Sequence, residues 1–132
     1  MHELLQLVPG ILIRGIDISN YAVENAMQTV KEKIELGDAM NLPFADNEFD
    51  LVLAINIISE LALDDCKKAL NEIIRVTKKN SFVTLNSWRN RREKEALMKW
   101  VLSSKSNYST DEWRTILNEI DYQGDFFWFI LI

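Results

Sequence analysis

Residues 49–56 constrain the fold of this chain more than any other segment. The run from Phe49 to Asn56 is rich in branched apolar side chains and contains neither glycine nor proline. This composition predicts a β-strand, and a nearly continuous apolar run is typical of a strand buried on both faces of a parallel sheet. We therefore expect these residues to form a central strand.

Strand-like and helix-like segments alternate along the rest of the chain. Short apolar runs predict further strands at residues 11–16, 33–36, 81–87 and 126–132. Apolar side chains at helical spacing predict helices after Ser19, over residues 64–78, around residues 96–101 and after Ser109. The alternation predicts one domain over residues 1–132, with an α/β fold and a mainly parallel sheet that carries helices on both faces. The last strand must be covered by helices, because an exposed apolar aromatic strand promotes aggregation.

The charge of the chain argues against nucleic acid as a partner. The formal net charge is −5 and the pI is about 4.9, so no bulk positive field attracts phosphates. The one dense basic stretch, Arg89 to Lys94, is interrupted by Glu93 and followed by Glu95. A solvated helix start accounts for this pattern.

Scarce cysteine and histidine exclude several chemistries. Cys66 is the only cysteine and His2 the only histidine. Disulfide frameworks, zinc sites built from several such residues, and Ser-His-Asp catalysis are therefore not expected, and we predict no metal site. No apolar run reaches the roughly 18 residues of a membrane span. We expect a cytoplasmic protein with no membrane partner.

Polar side chains follow three of the predicted strands. Asp17 follows the first, Asp38 follows the second, and Asn56 closes the third. In parallel sheets, ligands bind beyond the carboxyl ends of the strands. A carboxylate at the position of Asp17 can accept hydrogen bonds from both hydroxyls of a ribose. An aspartate at a strand end can equally cap the helix that follows, so both interpretations stay open for each residue.

The order of these segments resembles a known enzyme family. The series consists of Gly15-Ile16-Asp17-Ile18-Ser19, Gly37-Asp38-Ala39 with Leu42-Pro43-Phe44, Phe49-Asp50-Leu51-Val52, and Glu72-Ile73-Ile74-Arg75-Val76. It resembles the class I S-adenosylmethionine (SAM) dependent methyltransferases of the "type 11" kind from about residue 3 to residue 85. The resemblance implies a Rossmann-like, doubly wound sheet with an antiparallel final strand, methyl transfer from SAM to a small-molecule acceptor, and six cofactor contacts. These contacts are Asp17, Ile18, Asp38, Ala39, Asn56 and Ile57.

Each contact has an implied role. Asp17 would bind the ribose hydroxyls and Ile18 would pack on the adenine face. Asp38 would accept a hydrogen bond from the adenine amino group, and the backbone of Ala39 would contact the ring edge. Asn56, with Ile57, would border the methionine moiety and the transferring methyl group.

The sequence departs from the family in one respect. The family's first strand ends in a glycine-rich turn about 20 residues before the ribose-binding acid, whereas this chain contains no glycine-x-glycine anywhere. We interpret the chain as lacking that strand, which in the family lies in the middle of the sheet, between the strands at residues 11–16 and 49–56. The two exposed edges would then pair with each other, or accept a strand from a second copy or another protein, unless the sequence is a truncation.

The acceptor side of the site is less defined. Methyl transfer depends mainly on positioning, since the sulfonium is already activated. Some acceptors need a general base, for which Glu60, Asp64 and Asp46 are weak candidates beside surface roles, and no catalytic residue is assigned. Three side chains after the fourth strand are candidates for an acceptor pocket or for packing: Trp88, Arg89 and Tyr108.

Two other functions compete with an active enzyme. The missing glycine loop favours a non-catalytic relic or partner subunit that associates through its open sheet edge. A fragment of another nucleotide-binding Rossmann protein, such as a dehydrogenase, is a third interpretation. The pairing of Gly37-Asp38-Ala39 with Leu42-Pro43-Phe44 argues against the third, because it resembles the methyltransferase adenine site.

Overall fold

All strand pairs in this protein are parallel, and the strands form two separate sheets of two and four strands. The structure, a computed structural model, describes residues 1–132. It divides into an N-terminal unit, Met1–Pro43, and a C-terminal unit, Phe44–Ile132. The mixed α/β class predicted from the sequence is confirmed.

The N-terminal unit carries the two-stranded sheet. Its elements are α1 (His2–Leu7), β1 (Gly15–Asp17), α2 (Asn20–Glu24), a 3-10 turn (Lys31–Lys33) and β2 (Ile34–Leu36). Asp17 lies opposite Leu36 in the register. Ser19 caps α2 as predicted, since its hydroxyl accepts the Ala22 N–H at 3.2 Å. Both the first strand and the helix are shorter than predicted, and Leu12, expected in the strand, is almost fully exposed.

The C-terminal unit carries the four-stranded sheet. Its elements are β3 (Phe49–Ala54), a 3-10 turn (Ile58–Glu60), α3 (Leu63–Val76), β4 (Thr77–Trp88), α4 (Arg91–Trp100), β5 (Tyr108–Ser109), α5 (Thr110–Glu119) and β6 (Asp125–Phe129). Strand β4 is central and pairs with β3, β5 and β6. The strand predicted to be central, β3, lies instead at an edge, because it pairs with β4 alone.

The core of the C-terminal unit lies on one face of β4. Val83 and Leu85 alternate with half-buried residues along the strand and are themselves fully buried. Helices α3 and α5 bury apolar stripes that include Leu70 and Trp113. Each large apolar side chain removed from water contributes roughly 1.5–3 kcal/mol. The Trp113 indole N–H also donates to the carbonyl of Asn86 at 2.8 Å, which fixes α5 to the strand.

Cys66 lies in this core. Its thiol is fully buried and donates to the carbonyl of Ile58 at 2.9 Å, which connects α3 to the 3-10 turn. Burial raises the pKa of the Cys66 thiol, since the thiolate is poorly solvated there. The residue is structural, and its thiol is not activated.

The expectation of an antiparallel final strand was wrong. Strand β6 is parallel to β4, with Phe82 opposite Asp125 and Asn86 opposite Phe129. The physical reason is that α5 intervenes as a crossover connection, which returns the chain to the end of the sheet where β4 begins. Cover by helices is also incomplete, because Phe127 remains 57% exposed.

Strands β1 and β3, whose edges could have paired with each other, do not do so. Strand β1 pairs only with β2, and β3 pairs only with β4. Leu51 and Leu53 of β3 are largely exposed. Each free edge therefore keeps a row of backbone groups without a strand partner.

None of the helices has both the length and the apolar character that a membrane crossing requires.

Candidate cofactor site

Asp17 and Ile18 lie at the carboxyl end of β1. Oδ1 of Asp17 accepts the backbone N–H of Ser19 at 2.8 Å, which turns the chain into α2. The other carboxylate oxygen has no partner, and the side chain is exposed. Ile18 projects a branched apolar side chain that is 74% exposed. Asp17 thus forms a turn before the helix and keeps a free acceptor oxygen, while the helix cap itself is Ser19.

Asp38 and Ala39 follow β2 at the same edge of the two-stranded sheet, since β1 and β2 are parallel. Oδ1 of Asp38 accepts the Met40 N–H at 2.9 Å, and its carbonyl accepts the Asn41 N–H at 3.0 Å. These bonds hold a tight turn at half-buried Ala39. The second carboxylate oxygen of Asp38 is available to a ligand.

Gly37 brings this turn close to β1. A Cβ at this position would lie 3.2 Å from side-chain atoms of Ile16, a tight contact, and the Gly37 N–H donates to the carbonyl of Asp17 at 3.0 Å. The two aspartates are therefore held at neighbouring strand ends by a backbone hydrogen bond. This donor set fits the adenosine half of a nucleotide cofactor: free carboxylate oxygens for hydroxyl and amino donors, and an exposed branched side chain for a ring face.

Asn56 and Ile57 follow β3 in the C-terminal unit, and both are exposed. Asn56 has a φ of +58°, in the left-handed region that asparagine tolerates better than most residues. Its backbone N–H donates to the hydroxyl of Thr84 at 2.8 Å, and that hydroxyl donates to Oδ1 of Asn56 at 3.2 Å. Such strained conformations are concentrated at functional sites.

A polar network that the sequence did not predict lies near the carboxyl end of β4, around Asn86. The hydroxyl of Ser59 accepts the Asn86 N–H at 2.9 Å, and the Ser59 carbonyl accepts the Ser104 hydroxyl at 2.8 Å. The side-chain amide of Asn86 donates to the Ser104 hydroxyl at 3.1 Å and to Oδ1 of Asn107 at 3.3 Å. The network fixes the segment between α4 and β5 against the 3-10 turn. Its members are far apart in sequence, and the only local signal is a polar run at residues 103–107.

The side chains proposed for an acceptor pocket have packing partners. The ammonium of Lys94 lies 4.8 Å from the Trp88 ring, and the Tyr108 ring meets the Trp113 ring edge-on at 5.2 Å. Arg89 pairs with buried Glu93 at 2.6 Å, and its hydrogen bonds lower the pKa of that carboxyl. These contacts favour packing and helix capping over a pocket lining.

Among the candidate bases, Asp46 is bound in an ion-pair cluster. The Arg75 guanidinium donates to Asp46 at 2.8 Å, to Glu72 at 2.7 Å and to the carbonyl of Phe44 at 2.8 Å. The hydrogen bonds that Arg75 donates to the carboxylates of Glu72 and Asp46 raise the pKa of its guanidinium. The cluster ties the segment before β3 to the end of α3. Glu60 is half-buried, and Asp64 is exposed in the first turn of α3.

Parallel strands that end in polar residues, separated by helices, define the class of Rossmann-like α/β proteins. Comparison with solved structures supports this class. A protein described as a methyltransferase, in complex with the Haloferax volcanii Trm112 methyltransferase activator, matches with a TM-score of 0.68 and 21% identity, over 90% of this chain and 54% of that one. The YcgJ protein from Bacillus subtilis matches with a TM-score of 0.63 and 21% identity, over 90% of this chain and 56% of that chain.

Sequence comparison identifies the family. The family described as "Methyltransferase domain" matches residues 2–85, more than half of the chain. A tRNA (carboxymethyluridine(34)-5-O)-methyltransferase from Arabidopsis thaliana is 31% identical over 114 residues, which cover 84% of this chain and 27% of that protein. Norajmaline N-methyltransferase from Rauvolfia serpentina is 36% identical over 89 residues, which cover 62% of this chain and 30% of that protein.

The chain belongs to this methyltransferase domain family, as its sequence predicted, and members of the family use SAM as methyl donor. It spans less than a third of the length of both curated relatives.

Proposed function

We propose that the protein is a SAM-dependent methyltransferase that acts on a small-molecule acceptor. The observation that carries this proposal is the pair Asp17 and Asp38. Both lie at the carboxyl edge of one parallel strand pair, and each has one oxygen bound to a backbone N–H and one oxygen free. Membership of the methyltransferase domain family supports SAM as the ligand of this pair.

In this proposal each residue has a defined task. Asp17 accepts hydrogen bonds from the ribose hydroxyls, and Asp38 accepts one from the adenine amino group. Ile18 and the backbone of Ala39 border the adenine ring. For Asn56 and Ile57, contact with the methionine moiety stays a prediction from the family resemblance. SAM supplies an activated methyl group, so the protein has to bind, orient and exclude water rather than activate the donor.

A small acceptor is favoured over a nucleic acid by charge. One relative acts on tRNA by its name and another on norajmaline, so the family match does not decide between these classes. The net charge of −5 provides no general attraction for a phosphate backbone. Weak, salt-sensitive binding of tRNA would be expected at most, and tight binding at physiological salt would contradict the choice of a small molecule.

Isothermal titration of the full chain with S-adenosylhomocysteine, the product of methyl transfer, tests the proposal. The variant Asp17→Asn keeps an oxygen for the Ser19 N–H but removes the charge, so we expect binding roughly 10-fold to 100-fold weaker, the range for a hydrogen bond to a charged group. Glu32→Gln, an exposed carboxylate on the 3-10 turn of the same unit, is the matched control and should bind normally. Undetectable binding by the parent at millimolar ligand would refute cofactor binding by this chain.

The second candidate function is a partner subunit that associates through an open sheet edge. The observation that favours it is the free edge of each of the strands β1 and β3. A strand from a second copy or from another protein would pair with such an edge and satisfy its backbone groups. Light scattering separates the two functions, because a stable monomer that binds S-adenosylhomocysteine contradicts an obligate partner role.

A further inference from the structure

We propose that one exposed face of helix α4 is a docking surface for an acidic amphipathic helix of another protein. The inference does not depend on the proposed function, because no residue of this face belongs to the candidate cofactor site. It rests on the packing, the exposure and the charge of α4, which lies wholly within the C-terminal unit.

Helix α4 is anchored through the face opposite to the proposed surface. Leu97 is fully buried, and the Trp100 ring lies 5.1 Å from the ring of Phe129 in β6. Glu93 is buried as well, and its N–H donates to the side chain of Asn90, which caps the helix, at 3.1 Å. The residues on the other face are therefore not needed to hold the helix in place.

That other face carries nearly all the charge of the helix. Four cations and one carboxylate surround a methionine there, and all six side chains are exposed. These residues define the basic face: Arg91, Arg92, Lys94, Glu95, Met98 and Lys99. All of them except Arg92 line one open surface groove. The net charge of the basic face is +3 in a chain of net charge −5, so the rest of the chain carries −8.

The cations of the basic face are available to a partner. Arg92 and Lys99 form no ion pair. Arg91 pairs with Glu95 on its own helix at 2.8 Å, but both side chains are largely exposed and water screens their attraction. The ammonium of Lys94 lies 4.8 Å from the Trp88 ring, a contact that uses none of its three hydrogen-bond donors on a carboxylate. An acidic partner would thus displace little.

An apolar side chain lies among these charges. Met98 follows Lys94 by four residues and Glu95 by three, so the three are neighbours on the helix surface. Met98 is 43% exposed, and Leu102, two residues beyond the end of α4, is fully exposed. A thioether side chain is flexible and packs against apolar partners of varied shape. The solvated helix start inferred from the sequence accounts for the cations but gives no role to this apolar centre.

The combination favours an acidic amphipathic helix over other anionic partners. Such a helix pairs its carboxylates with the cations and covers Met98 with apolar side chains at helical spacing. A phosphate backbone would meet the carboxylate of Glu95 within the face, and the basic face contains no aromatic ring on which a base could stack. A membrane surface requires a broad apolar face, whereas the apolar part here is Met98 with Leu102.

Binding of two synthetic peptides to the full chain tests the proposal. The first is a peptide of about 20 residues that forms a helix with a leucine stripe flanked by glutamates. The second has the same composition in an order that gives no apolar stripe. Fluorescence anisotropy should show binding of the amphipathic peptide about 10-fold tighter than that of the scrambled one, and amide signals perturbed by the peptide should belong to α4.

Charge reversal locates the binding site. The double variant Arg92→Glu with Lys99→Glu should bind the amphipathic peptide about 10-fold more weakly at physiological salt. The matched control is Lys33→Glu with Lys78→Glu, which changes the net charge equally at two exposed lysines outside α4 and should bind like the parent. The difference should shrink when the salt is raised from about 0.15 M to about 1 M, because salt screens exposed charges.

Met98→Gln tests the apolar part of the surface. The side chain keeps a similar length and is already partly exposed, so the fold should be unchanged, while binding of the amphipathic peptide should be about 5-fold weaker. This loss should persist at high salt, since contact between apolar groups is not screened. Met27→Gln, at an exposed methionine of the N-terminal unit, is the control and should bind normally.

Several results would overturn the proposal. Equal binding of both peptides, with no effect of Met98→Gln, would show general charge attraction only. Parental binding by Arg92→Glu with Lys99→Glu would place the peptide elsewhere, and no binding at millimolar peptide would exclude the docking surface. If tRNA or phosphatidylglycerol vesicles bind more tightly than the peptide and lose that binding in the charge-reversal variant, the basic face serves that ligand instead. None of these measurements involves SAM, so the proposed function is tested separately.

Discussion

At the scale of single residues, Ser109 and Glu112 close the start of α5 with a reciprocal pair of hydrogen bonds. The Ser109 hydroxyl accepts the Glu112 N–H, and the Glu112 carboxylate accepts the Ser109 N–H at 2.8 Å. Hydrogen bonds from Ser109 lower the pKa of the Glu112 carboxyl. A lowered pKa means that the charged form stabilises the fold, fully above the ordinary glutamate pKa and less as the pH falls through the lowered value.

We expect Ser109→Ala to lower the free energy of unfolding by about 1 kcal/mol at pH 7, the usual cost of losing a helix N-cap. At a pH well below the ordinary glutamate pKa the difference between variant and parent should shrink, because protonated Glu112 already bonds weakly. Urea unfolding at both pH values measures this. Ser103→Ala, an exposed serine outside the helices, is the control. A larger difference in acid than at pH 7 would contradict the sign of the effect.

The same scale shows what the sequence could predict about the site. The Ser109 cap was predictable because a hydroxyl followed three residues later by a carboxylate is a local pattern. The bond between Asn56 and Thr84 joins residues 28 positions apart, and it depends on the pairing of β3 with β4. No local pattern indicates that a threonine in one strand will fix an asparagine after another. The positions of Asp17 and Asp38 at strand ends were predictable. That each carboxylate binds a backbone N–H through one oxygen and leaves the other free was not.

At the scale of elements, Arg75 connects the end of α3 to the segment before β3. The Arg75 guanidinium donates to the carbonyl of Phe44 and to the carboxylate of Asp46. The backbone carbonyl of Arg75 accepts the N–H of Asn47 at 2.8 Å. A planar group with five donors is suited to such a junction, whereas a lysine ammonium offers a single point charge.

We expect Arg75→Ala to loosen residues 44–48 while leaving β4 and α5 intact. Hydrogen exchange followed by mass spectrometry should show faster exchange in peptides that cover this segment. The exchange of peptides from α5 should be unchanged. Lys68→Ala is the matched control, because Lys68 lies on the same helix and pairs only with Asp65 one turn away. Equal exchange in Arg75→Ala and parent would show that the guanidinium does not hold the segment.

Element types were more predictable than element neighbours. Strands β3 and β6 overlap the runs predicted for them, since apolar composition is a local property. Strand β4 contains its predicted run but begins four residues earlier, at Thr77, where the end of a helix was predicted. The edge position of β3 and the parallel direction of β6 were predicted incorrectly. Both depend on which strand lies alongside and on how the chain returns to the sheet, and neither is encoded in the residues of the strand itself.

At the scale of the whole molecule, one face of the four-stranded sheet leaves several apolar side chains exposed. The register places Leu53 beside Phe82 and Phe127 beside Thr84, and side chains in register partners point to the same face. Leu51 lies on this face as well and is 54% exposed. Exposed apolar strands at sheet edges favour association between copies of a chain.

We expect Phe127→Lys to reduce self-association without unfolding the protein, because the side chain is already more than half exposed and a lysine can extend into water. Static light scattering over a concentration series should give a lower apparent mass than that of the parent. Leu102→Lys, a substitution at a fully exposed leucine outside the sheet, adds the same charge and should leave the mass unchanged. The same decrease in both variants would attribute the effect to net charge rather than to the apolar face.

The rate at which a reagent labels the single thiol measures how often the C-terminal unit opens. Because Cys66 is the only cysteine and is fully enclosed where α3 meets the turn at Ile58, a thiol-specific reagent can reach it only while that junction is open. The labelling rate therefore reports how often the C-terminal unit opens, with no engineered probe. A ligand held at Asn56, two residues before Ile58, should slow the labelling. The thiol would thus register occupancy of the site without taking part in its chemistry.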